Sequence, residues 1–295
     1  MSEKKVMVID GKNLFSRLYY AIDRKNAGYL ESILNSFLSF REKHSDKRFV
    51  FTFDTCKSER RCTLYPEYKA RREEDDNEEE RLRYRVDNKF FIELIKACGF
   101  ISLEGAGYEA DDYIACVASM LKAHNHVILV STDKDLLQLI GPNIVVFEPT
   151  KGITIDEENF KYVMDIEKKY FLDYKCMVGE NSKTSDNIPG IFGIGPKSAK
   201  KLIEEYGGLQ AILDGIAGKS DRSKKEIAMI EGIDILNRNI KLMSLRIPIL
   251  DEKLQTRIKY LIQHETKSSK DRLHELLGER NLGNLYKNFL RICFV

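Results

Sequence analysis

The sequence predicts an α/β fold in which a mainly parallel sheet carries helices on both faces. Up to about residue 150, short apolar runs alternate with segments of helical spacing, which is typical of parallel sheets. Several of these apolar runs are followed by carboxylates, as expected for buried strands that end at a crevice. From about residue 156 onward the spacing is helical, which indicates a second, mainly helical part.

The spacing of apolar residues places the elements in order. Strands are predicted at 5–9, 48–53, 99–103, 127–130 and 143–147. Helices are predicted at 29–43, 88–98, 109–123, 134–140, 156–163, 167–178, 197–206, 208–215, 222–243 and 268–292. Residues 65–87 interrupt this pattern because they are highly charged and contain few aliphatic side chains. We expect a protruding or solvated element there.

Composition is that of an ordinary soluble globular protein. Of the 295 residues, 43% are hydrophobic and 32% are charged, and no apolar stretch approaches the roughly 20 residues of a membrane span. The first residues run directly into a strand without a signal-peptide pattern, so we expect a cytoplasmic protein. The six cysteines show neither CxxC nor Cys/His spacing, which favours free thiols over structural zinc.

Seven carboxylates follow the predicted strands. They are Asp10, Asp54, Glu109, Asp111, Asp112, Asp133 and Asp135. The carboxyl ends of parallel strands line one crevice, where seven acids would repel one another unless cations lay among them. The sequence therefore predicts a magnesium site for phosphate chemistry. Helix capping is the alternative for Asp10, and a favourable helix dipole is the alternative for the acids at 109–112.

A glycine-rich segment opens the helix predicted at 197–206. The candidate DNA-binding residues in it are Gly193, Gly195, Lys197, Ser198, Lys200 and Lys201. Free N–H groups at the start of a helix can bind a phosphate, and lysines add positive charge. No base-reading side chain accompanies them, so this segment predicts sequence-independent binding to a DNA backbone. The alternative is an ordinary glycine-rich helix start.

Seven motifs follow one another along the chain to about residue 215. They read Val-Ile-Asp-Gly, Phe-Asp, Pro-Glu-Tyr-Lys-x-x-Arg, Tyr-Glu-Ala-Asp-Asp, Ser-Thr-Asp-Lys-Asp, Ser-Asp-Asn-Ile-Pro-Gly and Gly-Ile-Gly-Pro-Lys. This ordered set resembles the flap endonuclease/5′ nuclease family, which includes phage 5′–3′ exonucleases and the N-terminal nuclease domain of bacterial DNA polymerase I. Because no polymerase follows, we expect a stand-alone nuclease.

The resemblance implies an architecture. It implies a PIN-like (resolvase-like) catalytic domain over residues 1–155, with a helical arch at about 65–90. It also implies a mainly helical domain over 156–295, with a helix-hairpin-helix-type (H3TH) DNA-binding motif at about 175–206.

The resemblance also implies roles for individual residues. The first of two Mg²⁺ sites would use Asp10, Asp54, Glu109, Asp111 and Asp112, some of them through water. Asp133 would lie between the sites, and the second would use Asp135 and Asp186. Lys69 and Arg72 would contact the scissile phosphate, and further DNA contacts would come from Tyr68, Arg71 and Tyr108. Simple packing is the alternative for the two tyrosines.

One segment departs from the family pattern. The family reads Gly-Asp-x-x-Asp-Asn, whereas here five residues separate Glu180 from Asp186, three more than in the family. Glu180 stands where the family has the first Asp of this pattern. It either reaches the second ion with a side chain longer than that of Asp or is lost from the site, so we expect an intact first site and an altered second one. Some relatives bind K⁺ with main-chain carbonyls of this hairpin, and the matching positions here are Met177, Val178, Pro189, Ile191 and Ile194.

The expected function is that of a monomeric, structure-specific 5′ nuclease of a bacterial or phage-infected cell. By a two-metal mechanism with Mg²⁺, for which Mn²⁺ substitutes, it would hydrolyse DNA that has a free 5′ end, a flap or a branch, and RNA/DNA hybrids. Its expected role is in replication and repair. One alternative is a structure-specific DNA-binding protein with weak or no cleavage, because the second site is altered. Another is a PIN-like RNA nuclease, against which the glycine-rich hairpin argues.

Overall fold

The computed structural model describes residues 4–70, 78–180, 186–246, 249–264 and 266–294. These residues form two compact units. The sheet unit comprises the described residues within 4–56, 78–154 and 249–294, and the helical unit comprises those within 57–70, 155–180 and 186–246.

The central sheet has six strands. They are β1 Lys4–Asp10, β2 Arg48–Phe53, β3 Ile101–Glu104, β4 Asn125–Val130, β5 Ile144–Glu148 and β6 Ile153–Ile155. Their order is β3-β2-β1-β4-β5-β6, and the pairs β3–β2, β2–β1, β1–β4 and β4–β5 are parallel. This confirms the mainly parallel sheet and its first five strands. The short edge strand β6 was not predicted.

Helices make up most of the remaining described residues. The α-helices are α1 Gly11–Tyr20, α2 Tyr29–Lys43, α3 Glu59–Leu64, α4 Glu78–Ala97, α5 Ala110–Leu121, α6 Phe160–Met164, α7 Phe171–Val178, α8 Pro196–Tyr206, α9 Leu209–Ala217, α10 Lys224–Glu231, α11 Ile233–Met243, α12 Glu252–Gln263, α13 Lys270–Glu279 and α14 Tyr286–Cys293. Short 3₁₀ helices span Lys134–Leu139, Lys168–Tyr170 and Gly283–Leu285.

Both faces of the sheet are buried. Ile9 and Phe51 join one hydrophobic core together with residues of α1, α2 and α4. Val8 and Val50 point to the opposite face because side chains alternate along a strand, and each is at most 1% exposed. Helix α5 packs against β1, β2 and β4, and its buried residues lie outside that first core. The helices therefore cover both faces, as predicted.

The last helices belong to the sheet unit. Phe289 of α14 is fully buried in the core of that unit, with its ring centroid 6.3 Å from that of Phe37. Helix α13 packs against α4, and α12 against α5. The start of the main part of the helical unit at residue 155 is close to the predicted domain boundary. Residues 249–294, which were expected in the second domain, instead complete the core around the sheet.

Several helices differ from their predicted ranges. Helices α1, α3 and α12 were not predicted. Helix α4 begins ten residues before the predicted start at 88. In these added turns the ring centroid of Tyr84 lies 5.2 Å from that of Tyr19, and this contact stabilises the early start of the helix. The helix predicted at 222–243 is divided into α10 and α11 at Gly232. A side chain at Gly232 would come within 3.0 Å of both Ile191 and a main-chain oxygen.

Part of the predicted arch lies outside the described residues. Of the range 65–90, the structure describes a turn over 65–70 and helix α4 from Glu78. The acidic run at 73–80 is described only at residues 78–80, where its three glutamates form the first turn of α4. Acids at that position interact favourably with the helix dipole.

The helical unit is built around the packing of α7 against α8 and α11. A two-stranded antiparallel ribbon, β7 Gly179–Glu180 and β8 Ile188–Pro189, follows α7. Gly179 has φ +71°, and a Cβ added to it would lie 2.1 Å from the nitrogen of Gly190. Only glycine permits this close approach of the two chains.

No helix in the described part of the chain combines the length and the apolar character that crossing a membrane would require.

Candidate active site and nucleic-acid interface

The parallel register brings the first acids to one edge of the sheet. Ile9 is level with Phe51 of β2 and with Val130 of β4. Asp10 therefore lies at the same edge as Asp54 and the segment that begins at Ser131. We call the group formed by Asp10, Asp54 and Asp133 the acidic edge. It lies where the sequence predicted it, because the three strands are parallel and end together.

Asp10 is the most buried member of the acidic edge, with 9% of its surface exposed. Burial, together with repulsion from Asp54 and Asp133, raises the pKa of the Asp10 carboxyl to about 7. Two hydrogen bonds partly offset this shift, because Asn13 N donates to Oδ1 at 2.9 Å and Ser131 Oγ donates to Oδ2 at 3.0 Å. Asp10 thus also caps α1, as the alternative interpretation held.

The acids at the start of α5 also lie in the sheet unit. Asp54 Oδ1 accepts a 2.6 Å hydrogen bond from Ala110 N, which joins the acidic edge to this helix. Glu109 and Asp112 form a reciprocal capping box, in which Glu109 N donates to Asp112 Oδ2 at 3.1 Å. Their role at the start of α5 therefore accounts for Glu109 and Asp112, which are buried, without a metal ion. Asp111 is partly exposed. Metal binding by Glu109, Asp111 and Asp112 stays a prediction.

Asp133 and Asp135 follow β4. Asp133 is exposed and caps the 3₁₀ helix, since its Oδ1 accepts from Asp135 N at 2.8 Å. Its own N–H donates to Ser131 Oγ at 3.1 Å. Ser131 thus links the Asp10 carboxylate to the main chain of Asp133.

Three residues at this edge were not predicted as functional. Ser131 and Asn13 position Asp10, and Asn13 is in turn held by hydrogen bonds to Thr132 of 2.7 and 3.2 Å. Lys12 Nζ lies 3.9 Å from Asp54 Oδ2. Their signal in the sequence was their place inside the motifs Asp-Gly-Lys-Asn and Ser-Thr-Asp, as polar residues directly after buried strands.

The donor set at the acidic edge fits a hydrated divalent cation. Within the ranges that the structure describes, no three Asp, Glu, His or Cys side chains form a group that could hold a metal ion. Mg²⁺ generally keeps several waters and takes one or two carboxylates together with substrate phosphates. An all-oxygen edge with a buried carboxylate whose charge needs compensation suits that mode of binding.

Three predicted residues meet in the helical unit. Lys69 Nζ lies 3.8 Å from Asp186 Oδ1, and its main-chain N donates to the Asp186 carbonyl at 3.0 Å. The hydroxyl of Tyr68 donates to Asp186 Oδ2 at 2.8 Å, and Tyr68 is only 2% exposed. A ring buried to this extent favours the packing alternative for Tyr68, and DNA contact by Tyr68 stays a prediction. The roles of Lys69 and Asp186 stay predictions.

Glu180 has a lysine partner. Lys175, itself 9% exposed, donates a hydrogen bond to the Glu180 carboxylate. The ammonium of Lys175 thus neutralises the negative charge of Glu180, which would otherwise be available to a second divalent ion. The observation favours loss of Glu180 from the metal site over the alternative that its longer side chain reaches the ion.

Two of the remaining predicted DNA contacts lie outside the described residues, namely Arg71 and Arg72. Tyr108 is described and is held at its hydroxyl, which donates to Asp251 Oδ2 at 3.3 Å and accepts from Asp251 N at 3.2 Å. Its ring is partly exposed. DNA contact by Tyr108 stays a prediction.

The glycine-rich hairpin forms the predicted helix start. Gly193 has φ +81°, Gly195 is the N-cap of α8, and Pro196 occupies its first turn. A Cβ added at Gly193 or Gly195 would meet no atom within 4 Å, so the surface there is open. Lys197 and Lys201 are exposed. Ser198 is partly exposed, and Lys200 Nζ lies 2.7 Å from Asp165 Oδ2.

Three of the five predicted potassium carbonyls accept hydrogen bonds within the helical unit. Ile191 N donates to the Met177 carbonyl at 2.9 Å, and Ile194 N donates to the Ile191 carbonyl at 3.0 Å. The Pro189 carbonyl accepts from Asn239 Nδ2 at 2.9 Å and from Arg238 Nη2 at 3.1 Å. The guanidinium of Arg238 already brings a positive charge to this carbonyl. These contacts argue against a ring of carbonyls open to K⁺, and potassium binding by this set, which includes Val178, stays a prediction.

Comparison with known proteins agrees with this geometry. Residues 5–169 match the family model of the 5′–3′ exonuclease N-terminal resolvase-like domain, and residues 166–267 match that of the 5′–3′ exonuclease C-terminal SAM fold. A DNA polymerase I of Caldicellulosiruptor bescii is 28% identical over 96% of this chain, which spans 33% of that protein. A 5′–3′ exonuclease of Aquifex aeolicus is 29% identical over 76% of this chain and 78% of its own length.

Solved structures share the fold. The T5 5′-exonuclease with bound zinc has a TM-score of 0.73 at 24% identity, over 98% of this chain and 100% of that one. The bacteriophage T5 flap endonuclease, in a complex with DNA and metal ions, has a TM-score of 0.72 at 24% identity, over 99% and 100% of the two chains. The expected resolvase-like sheet domain followed by a helical domain is confirmed. The chain belongs to the 5′–3′ exonuclease family of nucleases.

Proposed function

We propose that this protein is a Mg²⁺-dependent, structure-specific 5′ nuclease, active on DNA as a 5′–3′ exonuclease and flap endonuclease in replication and repair. The observation that carries the proposal is the acidic edge, where Asp10, Asp54 and Asp133 follow three adjacent parallel strands, and where burial together with the charges of Asp54 and Asp133 raises the pKa of Asp10. Membership of the 5′–3′ exonuclease family supports it. So do related folds that hold divalent ions or DNA.

The residues of the sheet unit have separate tasks in this proposal. Asp10 and Asp54 would attract Mg²⁺, with Ser131 and Asn13 holding Asp10 in place through the contacts described above. Bound Mg²⁺, two ions in the mechanism that we propose, would activate the attacking water and stabilise the leaving oxygen. Lys12 lies beside Asp54 and would keep positive charge near the phosphate.

The residues of the helical unit would hold the substrate. The exposed residues Gly193 and Gly195, through their N–H groups, together with Lys197 and Lys201, would bind the duplex backbone without reading its sequence. Lys69, and Arg72 outside the described residues, remain the family-based candidates for the scissile phosphate. The proposed substrates are DNA with a free 5′ end, a flap or a branch, and RNA/DNA hybrids.

A second candidate function is structure-specific DNA binding with weak or no cleavage. Two acids predicted near the second metal ion have lysine neighbours, which favours this function. Lys175 is paired with Glu180, and Lys69 lies beside Asp186. In this case the hairpin would bind branched DNA, but the acids of the second site would not recruit an ion.

A labelled flap substrate distinguishes the two candidates. We expect a 5′-labelled flap duplex to be cut when Mg²⁺ is added, and to remain intact in EDTA. Asp10→Asn and Asp111→Asn should abolish cleavage but preserve the gel shift, whereas the exposed Asp46→Asn serves as the matched carboxylate control. A gel shift with no product at stoichiometric protein would favour the second function. Faster cutting of single-stranded RNA than of flap DNA would contradict both.

A further inference from the structure

The glycine-rich hairpin presents one phenylalanine almost entirely to solvent. Phe192 is 94% exposed, although its neighbours Ile191 and Ile194 are only 5% and 3% exposed. Large apolar side chains are normally buried, so an aromatic ring held out by two anchored neighbours is informative. The pattern indicates a ring presented to a partner.

The local backbone keeps the ring in that position. Ile194 N donates to the Ile191 carbonyl at 3.0 Å, which makes Phe192 and Gly193 the central residues of a turn. Gly193 at φ +81° has the conformation that the third position of a type II turn requires. Because Ile191 and Ile194 are buried on either side, the turn directs Phe192 away from the helical unit.

The surface around the ring suits a polyanion. The sequence contains no Asp or Glu from Asn187 to Ile203, but it contains Lys197, Lys200 and Lys201. Lys197 and Lys201 are exposed, and the space above Gly193 is open. A partner with a dense row of negative charges and apolar surface between them matches this combination, and duplex DNA with its phosphates and deoxyriboses is such a partner.

We propose that Phe192 is the apolar contact of the hairpin with duplex DNA, and that its ring lies against a deoxyribose. The proposal rests on the proposed function, because it needs the hairpin to bind DNA. Phe192 lies three residues before Gly195, so their Cα atoms are at most about 11 Å apart. A ring at this distance reaches the sugars adjacent to a phosphate held at the start of α8.

The salt dependence of DNA binding separates an apolar contact from an ionic one. Affinity for a labelled duplex is measured by fluorescence anisotropy in EDTA, over a series of KCl concentrations, with the 295-residue chain. We expect Phe192→Ala to weaken binding roughly tenfold at every salt concentration, with an unchanged slope of log K against log[salt]. Lys201→Ala should instead reduce that slope by about 0.9.

Matched variants make the result specific. Tyr162 is 92% exposed in the same unit, and Tyr162→Ala should bind the duplex like the wild type. Phe192→Leu should retain most of the affinity that Phe192→Ala loses, because it keeps an apolar side chain. All these positions are at the surface, so folding is not at risk.

Two outcomes would overturn the inference. Wild-type duplex affinity in Phe192→Ala would show that the ring makes no contact, even if the protein cuts flaps and the proposed function stands. A loss of affinity for single-stranded but not duplex DNA would assign the ring to an unpaired base instead. If the wild type neither bound duplex DNA nor cut a flap, the proposed function would fail first.

Discussion

Replacing Asp10 by Asn should stabilise the metal-free protein above neutral pH. Burial and the carboxylates of Asp54 and Asp133 raise the pKa of Asp10 from 3.8 to about 7. At 1.36 kcal/mol for each pKa unit, ionising Asp10 in the folded protein costs about 4 kcal/mol. Asn is similar in shape and stays neutral. Because Asp54 shares part of the repulsion, we expect the variant to raise the free energy of unfolding by about 2–4 kcal/mol at pH 8.

The sign depends on pH in a defined way. A folded-state pKa above the unfolded value means that the folded protein binds more protons between about pH 4 and 7, so wild-type stability falls as the pH rises through this window. The cost is absent below about pH 4 and complete above about pH 7. The advantage of Asp10→Asn should therefore be large at pH 8 and less than half as large at pH 5.

Thermal unfolding followed by circular dichroism in EDTA measures this advantage at both pH values. Mg²⁺ should reduce it, because the ion stabilises only the protein that has the carboxylate. Asp46→Asn is the control, since Lys47 lowers the pKa of that exposed carboxyl and its replacement should give no stabilisation. An equal effect of Asp10→Asn at pH 5 and pH 8, or destabilisation at pH 8, would refute the reasoning.

Three further outcomes are expected. Glu180→Gln should leave the Mg²⁺ concentration for half-maximal cleavage unchanged, because Lys175 already holds that carboxylate; a tenfold shift would contradict this. Replacing K⁺ by tetramethylammonium at equal concentration should not change duplex affinity, because carbonyls such as that of Pro189 already accept hydrogen bonds; a K⁺-specific gain would contradict it. Gly190→Ala should lower the free energy of unfolding by about 1–3 kcal/mol, because the added Cβ would lie 2.3 Å from the main chain at the end of α7. Gly218→Ala, which meets no atom within 4 Å, is its control, and equal stability of the two variants would be evidence against this close packing.

The parts of the fold that could be predicted are those with strong local signals. Strands β1 and β2 are continuous apolar runs, so their positions and their carboxylates followed from the sequence. Helix α1 was missed although Leu14, Phe15, Leu18 and Tyr19 repeat at helical spacing, because the glycine and the polar residues of its first turn were interpreted as a loop that delivers Asp10. The early start of α4 depends on the contact between Tyr84 and Tyr19, which are far apart in sequence.

The parts of the site that could not be predicted depend on partners brought together by folding. Tyr68 appeared available for stacking, but its hydroxyl is held by Asp186, 118 residues away. The sequence left open whether Glu180 reaches a second metal ion or is lost from that site, and its pairing with Lys175 favours the loss. Spacing along a chain shows which residue types are near a strand end, but it does not show which long-range partner each side chain takes.

Anomalous diffraction from crystals soaked in Mn²⁺ tests the central claim most directly. We predict Mn²⁺ density at about 2 Å from an Asp10 carboxylate oxygen if the ion binds directly, or at about 4 Å if it binds through one water, in protein that cuts a 5′ flap. The density should be absent in Asp10→Asn crystals soaked in the same way. Mn²⁺ density elsewhere, with none at the acidic edge of active protein, would contradict the account.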